Sequence, residues 1–215
     1  MSPSTLPSIG WRAVFASFAS VLFAFAALAA EAGGGAATLR DDFGGPLSAD
    51  WFWGLGTWTA KDGVLRGFES GPRRHGPVKM RKFPFRDGTL ECEFRLEGKA
   101  TFAGIIFNGD QDRGHLFHVV MGRDTLRFLT HPKKDETATL LSESDPLAPE
   151  VWHTVKIEVT GQKLSVTIDG KAFAAESPCI GEDKLTFGLG GDSGGPDGEK
   201  AGALEFRNLQ VTKKD

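Results

Sequence analysis

The sequence predicts an all-β protein in which two antiparallel sheets pack face to face. Hydrophobic and polar residues alternate with a period of two over residues 90–97, 154–159 and 164–169. Such alternation is typical of antiparallel strands that place one face in a core and the other in solvent. No stretch with a helical period follows residue 32, and the chain has 28 glycines. Together these observations favour a turn-rich sandwich of short strands.

Glycine-containing turns mark the ends of several predicted strands. Asp-Gly pairs stand at residues 62–63, 87–88 and 169–170, and they supply the positive φ angles that tight hairpins need. A single helical turn is predicted over residues 46–51. In chain order, strands are predicted over residues 38–43, 57–60, 63–68, 77–83, 88–97, 101–108, 115–121, 124–130, 137–142, 151–160, 163–169, 171–175, 184–190 and 203–212.

The length and composition describe one folded domain. The chain has 215 residues, of which 40% are hydrophobic and 25% charged, and that balance excludes an intrinsically disordered protein. A chain of this length favours a single domain, which we predict over residues 33–215 after a separate segment over residues 1–32. The formal net charge of −3 argues against a nucleic-acid partner, because phosphate binding requires a clustered positive face.

Residues 1–32 have the layout of a secretory signal peptide followed by a glycine-rich start. Arg12 precedes an apolar run over residues 13–30, which small residues in A-x-A patterns close. A signal peptide predicts a secreted or periplasmic protein, with no membrane span once the signal is removed. The alternative is an N-terminal membrane anchor, since an apolar run of this length can just cross a bilayer.

The two cysteines allow two interpretations. In an oxidising compartment, Cys92 and Cys179 could form one disulfide across a long loop. Alternatively, each is a small hydrophobic residue buried separately. The sequence does not decide between these, because a disulfide depends on the distance between the two Cα atoms.

Three segments together resemble one known superfamily. Residues 58–65 match a W-x-x-x-D-G-x-L hairpin, and residues 206–211 match a closing F-R-N-I-x-V strand. Residues 151–171 match a W-H-x-V-x-I-x-V…L-x-V-x-I-D-G-K hairpin. With these motifs, residues 39–212 resemble the concanavalin A-like lectin/glucanase superfamily, and most of all its bacterial branch, the 3-keto-disaccharide hydrolase domain.

This resemblance implies a jelly-roll sandwich with one concave sheet on which sugars bind. It also implies one of two functions: an exported hydrolase or lyase of 3-keto glycosides, or a non-catalytic glycan-binding or cell-surface module. In either case the ligand is a glycan or glycoside, and no cofactor is required. Members of the branch often carry a G-Y-E-x-Q strand, which aligns here with residues 114–118, so that Leu116 holds the acidic position and His118 the amide position.

Histidines are the candidate catalytic residues. A ketone acidifies the neighbouring C–H bond, so a single base could start an elimination, and His118 or His131 could be that base at neutral pH. Strand parity places His118, Arg127 and His131 on one face of a hairpin over residues 115–131. The same parity places His115 on the opposite face. The alternative is a set of unrelated surface or hydrogen-bonded histidines.

Aromatic and charged residues are the candidate ligand-binding residues. Trp53 is predicted as an exposed platform for a sugar ring, and in an extended chain Trp51 shares its face. Glu93 and Arg95 lie in the strand predicted over residues 88–97 and, with Arg127, complete the predicted ligand-binding set. The alternative for Glu93 and its neighbours is a solvated convex face, which is ordinary for half-buried strands.

One turn of the predicted fold is a possible calcium site. Asn108, Asp110 and Asp112 offer oxygen atoms at alternate positions, as hard cations prefer. The alternative is an ordinary polar turn, because the full calcium-loop pattern is absent.

The segment over residues 191–196, GDSGGP, resembles the nucleophile motif of chymotrypsin-like serine proteases. Those enzymes also carry an A-A-H-C segment that supplies the histidine base, and this chain has none. We therefore predict that Ser193 lies in a mobile, polar loop between two strands and is not a protease nucleophile.

Overall fold

The computed structural model describes residues 37–71, 75–195 and 197–214. Across these residues the chain forms fifteen β-strands and two short 3₁₀ helices, Pro178–Gly181 and Gly198–Lys200. The strands are β1 (Thr38–Asp41), β2 (Trp53–Leu55), β3 (Thr57–Lys61), β4 (Val64–Phe68), β5 (Val78–Phe85), β6 (Asp87–Gly98), β7 (Phe102–Asn108), β8 (His115–Gly122), β9 (Leu126–Thr130), β10 (Ala138–Glu143), β11 (His153–Thr160), β12 (Lys163–Ile168), β13 (Lys171–Glu176), β14 (Lys184–Asp192) and β15 (Gly202–Lys214).

The strands form two antiparallel sheets. The eight-stranded sheet runs in the order β13-β12-β11-β6-β15-β4-β3, and β1 pairs with β15 outside this path. The seven-stranded sheet runs in the order β10-β9-β8-β7-β14-β5-β2. Every strand pairing is antiparallel, as expected for short strands joined by tight turns. The predicted all-β jelly-roll sandwich is therefore confirmed.

The hydrophobic core lies between the two sheets, and the period-two pattern accounts for it. Along β6, the hydrophobic residues of the alternation are buried, while the charged residues between them are partly exposed. Phe107 and Phe117, on neighbouring strands of the other sheet, stack in this core with ring centroids 4.5 Å apart. Aromatic contacts of this kind add to the stabilisation from buried apolar area.

The segment before β2 differs from its prediction. The helical turn predicted over residues 46–51 is wrong, because the chain there forms bends and one turn. Trp51 is buried in the core, where its Nε1 donates to Asp41 Oδ2 at 2.8 Å and Arg81 stacks on its ring. Trp53, in contrast, is 47% exposed on β2. The prediction that Trp51 shares a face with Trp53 is therefore wrong, because the turn before Trp51 aims its indole inward.

The W-H…D-G motif of the β11–β12 hairpin has a structural role. His153 is buried, its Nδ1 donates to Asp169 Oδ2 at 2.6 Å, and its Nε2 donates to the carbonyl oxygen of Ala148 at 2.8 Å. The other oxygen of Asp169 accepts a hydrogen bond from the backbone of Thr154. Asp169 itself has a φ of 48°, which the following turn requires. His153 thus links the start of β11 to the turn at Asp169 and to the segment before β11 that contains Ala148.

In the GDSGGP segment, Gly191 and Asp192 end β14, and Ser193 begins the loop that follows. Ser193 is fully buried, and its Oγ accepts a hydrogen bond of 2.8 Å from the backbone N–H of Glu69. Asp192 accepts hydrogen bonds from Thr101 Oγ1 and from the backbone N–H of Gly194. A buried hydroxyl that is engaged in this way is not presented to a substrate. Ser193 lies between β14 and β15, as predicted, and the mobility of this loop stays a prediction.

Three further predictions concern the signal peptide, a membrane span and the two cysteines. The predicted signal peptide falls outside the described residues. Within the described part of the chain, no helix is long and apolar enough to cross a membrane. Cys92 and Cys179 are both buried as free thiols, so the second of the two interpretations describes this structure.

Candidate active site

One row of residues crosses the outer face of the seven-stranded sheet, the face that points away from the core. Trp53 on β2 lies opposite Met80 on β5, and Met80 lies opposite Gly188 on β14. Gly188 lies opposite Ile106 on β7, which lies opposite His118 on β8. Directly opposed residues in antiparallel strands point to the same face. Trp53 and His118 therefore share the outer face, four strand spacings or about 19 Å apart.

A β-bulge at the start of β8 changes which residues reach this face. Phe107 lies opposite Phe117, but the next residue, Asn108, lies opposite His115. Leu116 is thus an extra residue in β8, and it is fully buried. An extra residue shifts the alternation by one position. His115 and His118 consequently share a face, with ring centroids 4.8 Å apart, and the prediction that they lie on opposite faces is wrong.

His131 completes a group of three imidazoles. It follows the last residue of β9, and its backbone N–H donates to the carbonyl oxygen of Leu116 at 2.9 Å. Its ring centroid lies 4.7 Å from that of His118 and 5.4 Å from that of His115. We call His115, His118 and His131 the histidine cluster. The structure thus brings His118 and His131 together, as strand parity predicted.

Hydrogen bonds set the proton positions of two of these rings. Asn108 presents its carbonyl oxygen to His115 Nδ1 at 2.7 Å, so this nitrogen donates and Nε2 keeps its lone pair. His131 Nδ1 lies 3.1 Å from the backbone oxygen of Glu136, which again makes Nδ1 the donor. Among the described residues, neither Nε2 of His131 nor Nε2 of His118 has a hydrogen-bond partner. Both nitrogens are buried, so a ligand can reach them only if neighbouring side chains move.

The surroundings keep all three imidazoles neutral at pH 7. Burial is the main reason that the pKa of His118 falls to about 3, and the neighbouring His115 and His131 lower it further. Burial also lowers the pKa of His115, with contributions from His131 and His75. For His131, burial lowers the pKa, the hydrogen bond to Glu136 opposes this, and Arg113 adds to the lowering. Neutral imidazoles can accept a proton.

Arg127 and Trp53 lie on the same outer face as the histidine cluster. Arg127 on β9 is exposed and lies opposite Val120, which is two residues along β8 from His118. Trp53 is exposed at the other end of the row described above. The structure therefore groups these two predicted ligand-binding residues with the predicted catalytic residues on one sheet.

Glu93 and Arg95 do not join this group. Both lie on β6 in the eight-stranded sheet, on its outer face. Glu93 Oε2 accepts a hydrogen bond of 2.8 Å from Arg207 Nε. Arg95 pairs with Glu205 and stacks on the partly buried ring of Trp152. Their side chains are committed to ion pairs on a partly solvated face, as the alternative interpretation describes.

The predicted calcium ligands have other partners. The side-chain oxygen of Asn108 contacts His115, and Asp110 Oδ1 accepts from the backbone N–H of Arg113 at 2.7 Å. Asp112 is exposed. Within the described ranges, no three His, Cys, Asp or Glu side chains are arranged to hold a metal ion. Calcium at this turn stays a prediction.

Sequence reasoning missed His115 as a site residue. Its position three residues before His118 normally means opposite faces, and nothing in the alternation marks the bulge that reverses this. Only the pairing of β7 with β8 reveals the extra residue.

Comparison with known proteins identifies the family of this chain. Residues 41–212 match the family model described as a 3-keto-alpha-glucoside-1,2-lyase-like domain. The chain belongs to this family. No curated protein matches the chain.

Solved structures similar to this 3-keto-alpha-glucoside-1,2-lyase-like domain share its fold. The carbohydrate-binding module CBM66 from Bacillus subtilis is 14% identical, with a TM-score of 0.55 over 74% of this chain and 92% of the module. A Crh5 transglycosylase in complex with NAG is 16% identical, with a TM-score of 0.57 over 85% of this chain and 86% of the enzyme. At this identity the likeness shows a shared fold, and the site must carry the functional argument.

Proposed function

We propose that this protein is an exported carbohydrate-active enzyme that cleaves glycosides of 3-keto sugars by elimination. Membership of the lyase-like family supports the substrate class. The observation that carries the proposal is the histidine cluster, three neutral imidazoles on the outer face of the seven-stranded sheet. The reaction needs a base beside a ketone, which is what a neutral imidazole with a free lone pair provides.

The proposed step transfers one proton and breaks one C–O bond. Imidazole nitrogen takes the proton from C2, next to the C3 ketone, and the C–H electron pair forms an enolate. The enolate then restores the C3 carbonyl as a C1–C2 double bond forms and the glycosidic C1–O bond breaks. The departing alkoxide takes up the proton that the imidazolium carries, which returns the imidazole to its neutral form. Addition of water to the resulting enone completes a net hydrolysis.

His115 is the best placed of the three residues to act as the base. It is the exposed member of the cluster, and its bond to Asn108 leaves Nε2 with a lone pair. The deeper His118, whose pKa is about 3, is a weaker base. As a neutral ring it carries one N–H, which can donate to the C3 oxygen as negative charge develops there. His131, whose unpaired Nε2 is buried, is the second candidate for the base.

Arg127 and Trp53 supply binding on the same face. Arg127 can hydrogen-bond sugar hydroxyl groups near the cluster. Trp53 lies about 19 Å away along the row, so its exposed ring can stack on a more distant unit of the substrate.

Turnover of defined glycosides tests the proposal. The purified protein is incubated with matched ordinary and 3-keto glycosides, and the products are identified by mass spectrometry. We expect turnover of the keto substrates alone, lost in His115→Gln and strongly reduced in His118→Gln. The control is Glu91→Gln, because Glu91 lies on the outer face of the other sheet. Turnover that survives both histidine changes would reject this site.

A specific observation favours the second candidate, a non-catalytic glycan-binding or cell-surface module. Leu116, at the position where the family's strand motif has an acid, is fully buried in the core. No carboxylate among the described residues is hydrogen-bonded to the histidine cluster. Saturable binding of glycans without turnover of any substrate would establish the module and retire the enzyme.

A further inference from the structure

We propose that Arg113 is a positioning residue that holds His115 and His131 in the arrangement the reaction needs. The expected effect of Arg113 on catalytic rates rests on the proposed function. The expected effect of Arg113 on the positions of the two imidazole rings does not.

The guanidinium of Arg113 joins the backbones of two members of the cluster. Its Nη1 donates to the carbonyl oxygen of His115 at 3.1 Å, and its Nη2 donates to the carbonyl oxygen of His131 at 2.6 Å. His115 begins β8, whereas His131 follows β9, so the two carbonyls belong to different strands. One side chain therefore bridges the two backbones next to the bulge, in addition to the hydrogen bond from the His131 N–H to the carbonyl oxygen of Leu116.

Glu182 fixes the orientation of this guanidinium. Arg113 Nε lies 2.8 Å from Oε2 of Glu182, and Nη2 lies 2.9 Å from Oε1, which is a bidentate pair. The backbone N–H of Arg113 is held by Asp110 at 2.7 Å. A planar fork with fixed donors can serve two carbonyls and a carboxylate together, whereas a lysine ammonium cannot reproduce that geometry.

Position and charge have separable consequences for the cluster. The fork positions the two rings, and the positive charge disfavours protonation of the nearby His131. The titratable and charged groups that face His131 are His115, His118, Arg113 and the Cys179 thiol, which donates to the His131 carbonyl oxygen. Glu182 faces the other side of Arg113 and partly balances its charge.

Two substitutions separate the roles. Arg113→Lys keeps the charge and loses the fork, and Arg113→Gln loses both. The matched control is Arg86→Lys, because Arg86 lines the same surface cavity and, among the described residues, its side chain pairs only with Asp183, in an exposed ion pair of 3.5 Å. Circular dichroism and thermal melting of each purified variant identify those that are folded, and Glu182→Gln is the milder variant if Arg113→Gln does not fold.

The first readout is NMR of the imidazole C–H signals as a function of pH, which needs no substrate. We expect the signals of His115 and His131 to move in Arg113→Lys but not in Arg86→Lys. In Arg113→Gln we also expect His131 to titrate at a higher pH. Imidazole signals and titrations that match wild type in both Arg113 variants would overturn the proposal, whatever the protein catalyses.

The second readout is steady-state kinetics on a keto glycoside. We expect kcat to fall on the order of 10- to 100-fold in Arg113→Lys, with little change in KM, because misplaced reacting groups slow the chemical step. A folded Arg113→Lys variant with wild-type kcat would overturn the positioning role. If wild type turns over no substrate, the proposed function fails while the NMR result still decides the role of Arg113 in the cluster.

Discussion

Lys184 shows how the sandwich accommodates a buried charge, and it leads to a quantitative prediction. Its side chain is 0% exposed, and its Nζ donates to the carbonyl oxygen of Arg86 at 2.6 Å and to that of Ile180. Burial lowers the pKa of Lys184 from 10.5 to about 8, and the nearby Asp87 opposes only part of that change. The folded protein therefore releases this proton at a lower pH than the unfolded chain does.

The sign and size of the effect on stability follow from this difference. Between about pH 8 and pH 10.5 the unfolded chain holds a proton that the folded chain has released, so the free energy of unfolding rises with pH. One pKa unit corresponds to about 1.4 kcal/mol. From pH 7.5 to pH 10 the expected gain from Lys184 is about 2 kcal/mol, because part of the titration lies outside this window.

Urea unfolding of wild type and Lys184→Met at these two pH values measures the effect. Methionine keeps the contacts with the rings of Phe85 and Phe117 but carries no proton. At each pH, the free energy of unfolding of the variant is subtracted from that of wild type, which cancels the contribution of the other titrating groups. We expect this difference to grow in favour of wild type by about 2 kcal/mol on going from pH 7.5 to pH 10. A difference independent of pH would refute the reasoning.

Three more changes have expected outcomes. Gly67→Ala should lower the free energy of unfolding by about 1–3 kcal/mol, measured by urea denaturation, because its Cβ would lie 2.5 Å from the Trp58 ring. Burial would raise the pKa of Asp169, but hydrogen bonds from His153 and Thr154 hold it below 3.8. Wild type should therefore lose stability relative to Asp169→Asn as pH falls through and below 3.8, which acid titration of the unfolding transition checks. Trp53→Ala should weaken glycan binding in calorimetry on the order of 10-fold while changing stability by less than about 0.5 kcal/mol, because its ring is exposed. Equal binding by Trp53→Ala and wild type would exclude the indole as a sugar platform.

The alternation of residues predicted most of the sheets because burial of one strand face is a local property. Along β6, every second residue is apolar, and each of these residues is buried. β2 was missed because Trp53–Leu55 is only three residues long and contains one glycine, so no period can be recognised. The strand exists because β5 offers it an unpaired edge, which is a tertiary circumstance.

The candidate site was predictable only in part, and the reason is again pairing between strands. The period of two along the predicted strands was enough to place three residues on one face: His118, Arg127 and His131. Glu93 belongs to an equally regular strand, but which of the two sheets carries that strand depends on long-range pairing of β6 with β15 and β11. The predicted site residues therefore lie on two different sheets, with Glu93 on the eight-stranded sheet and the histidines on the seven-stranded sheet.

The bulge at Leu116 explains both the unexpected histidine and the missing acid. Because Leu116 is the extra residue, its side chain enters the core, where it is fully buried. A carboxylate at this position would lose its hydration in the apolar core, at a cost of several kcal/mol. The shift that turns residue 116 inward also turns His115 outward, to within 4.8 Å of His118. In this chain the outer face therefore carries a third imidazole, whereas residue 116 lies in the core. Under the proposed function, the proton transfer falls to the histidine cluster.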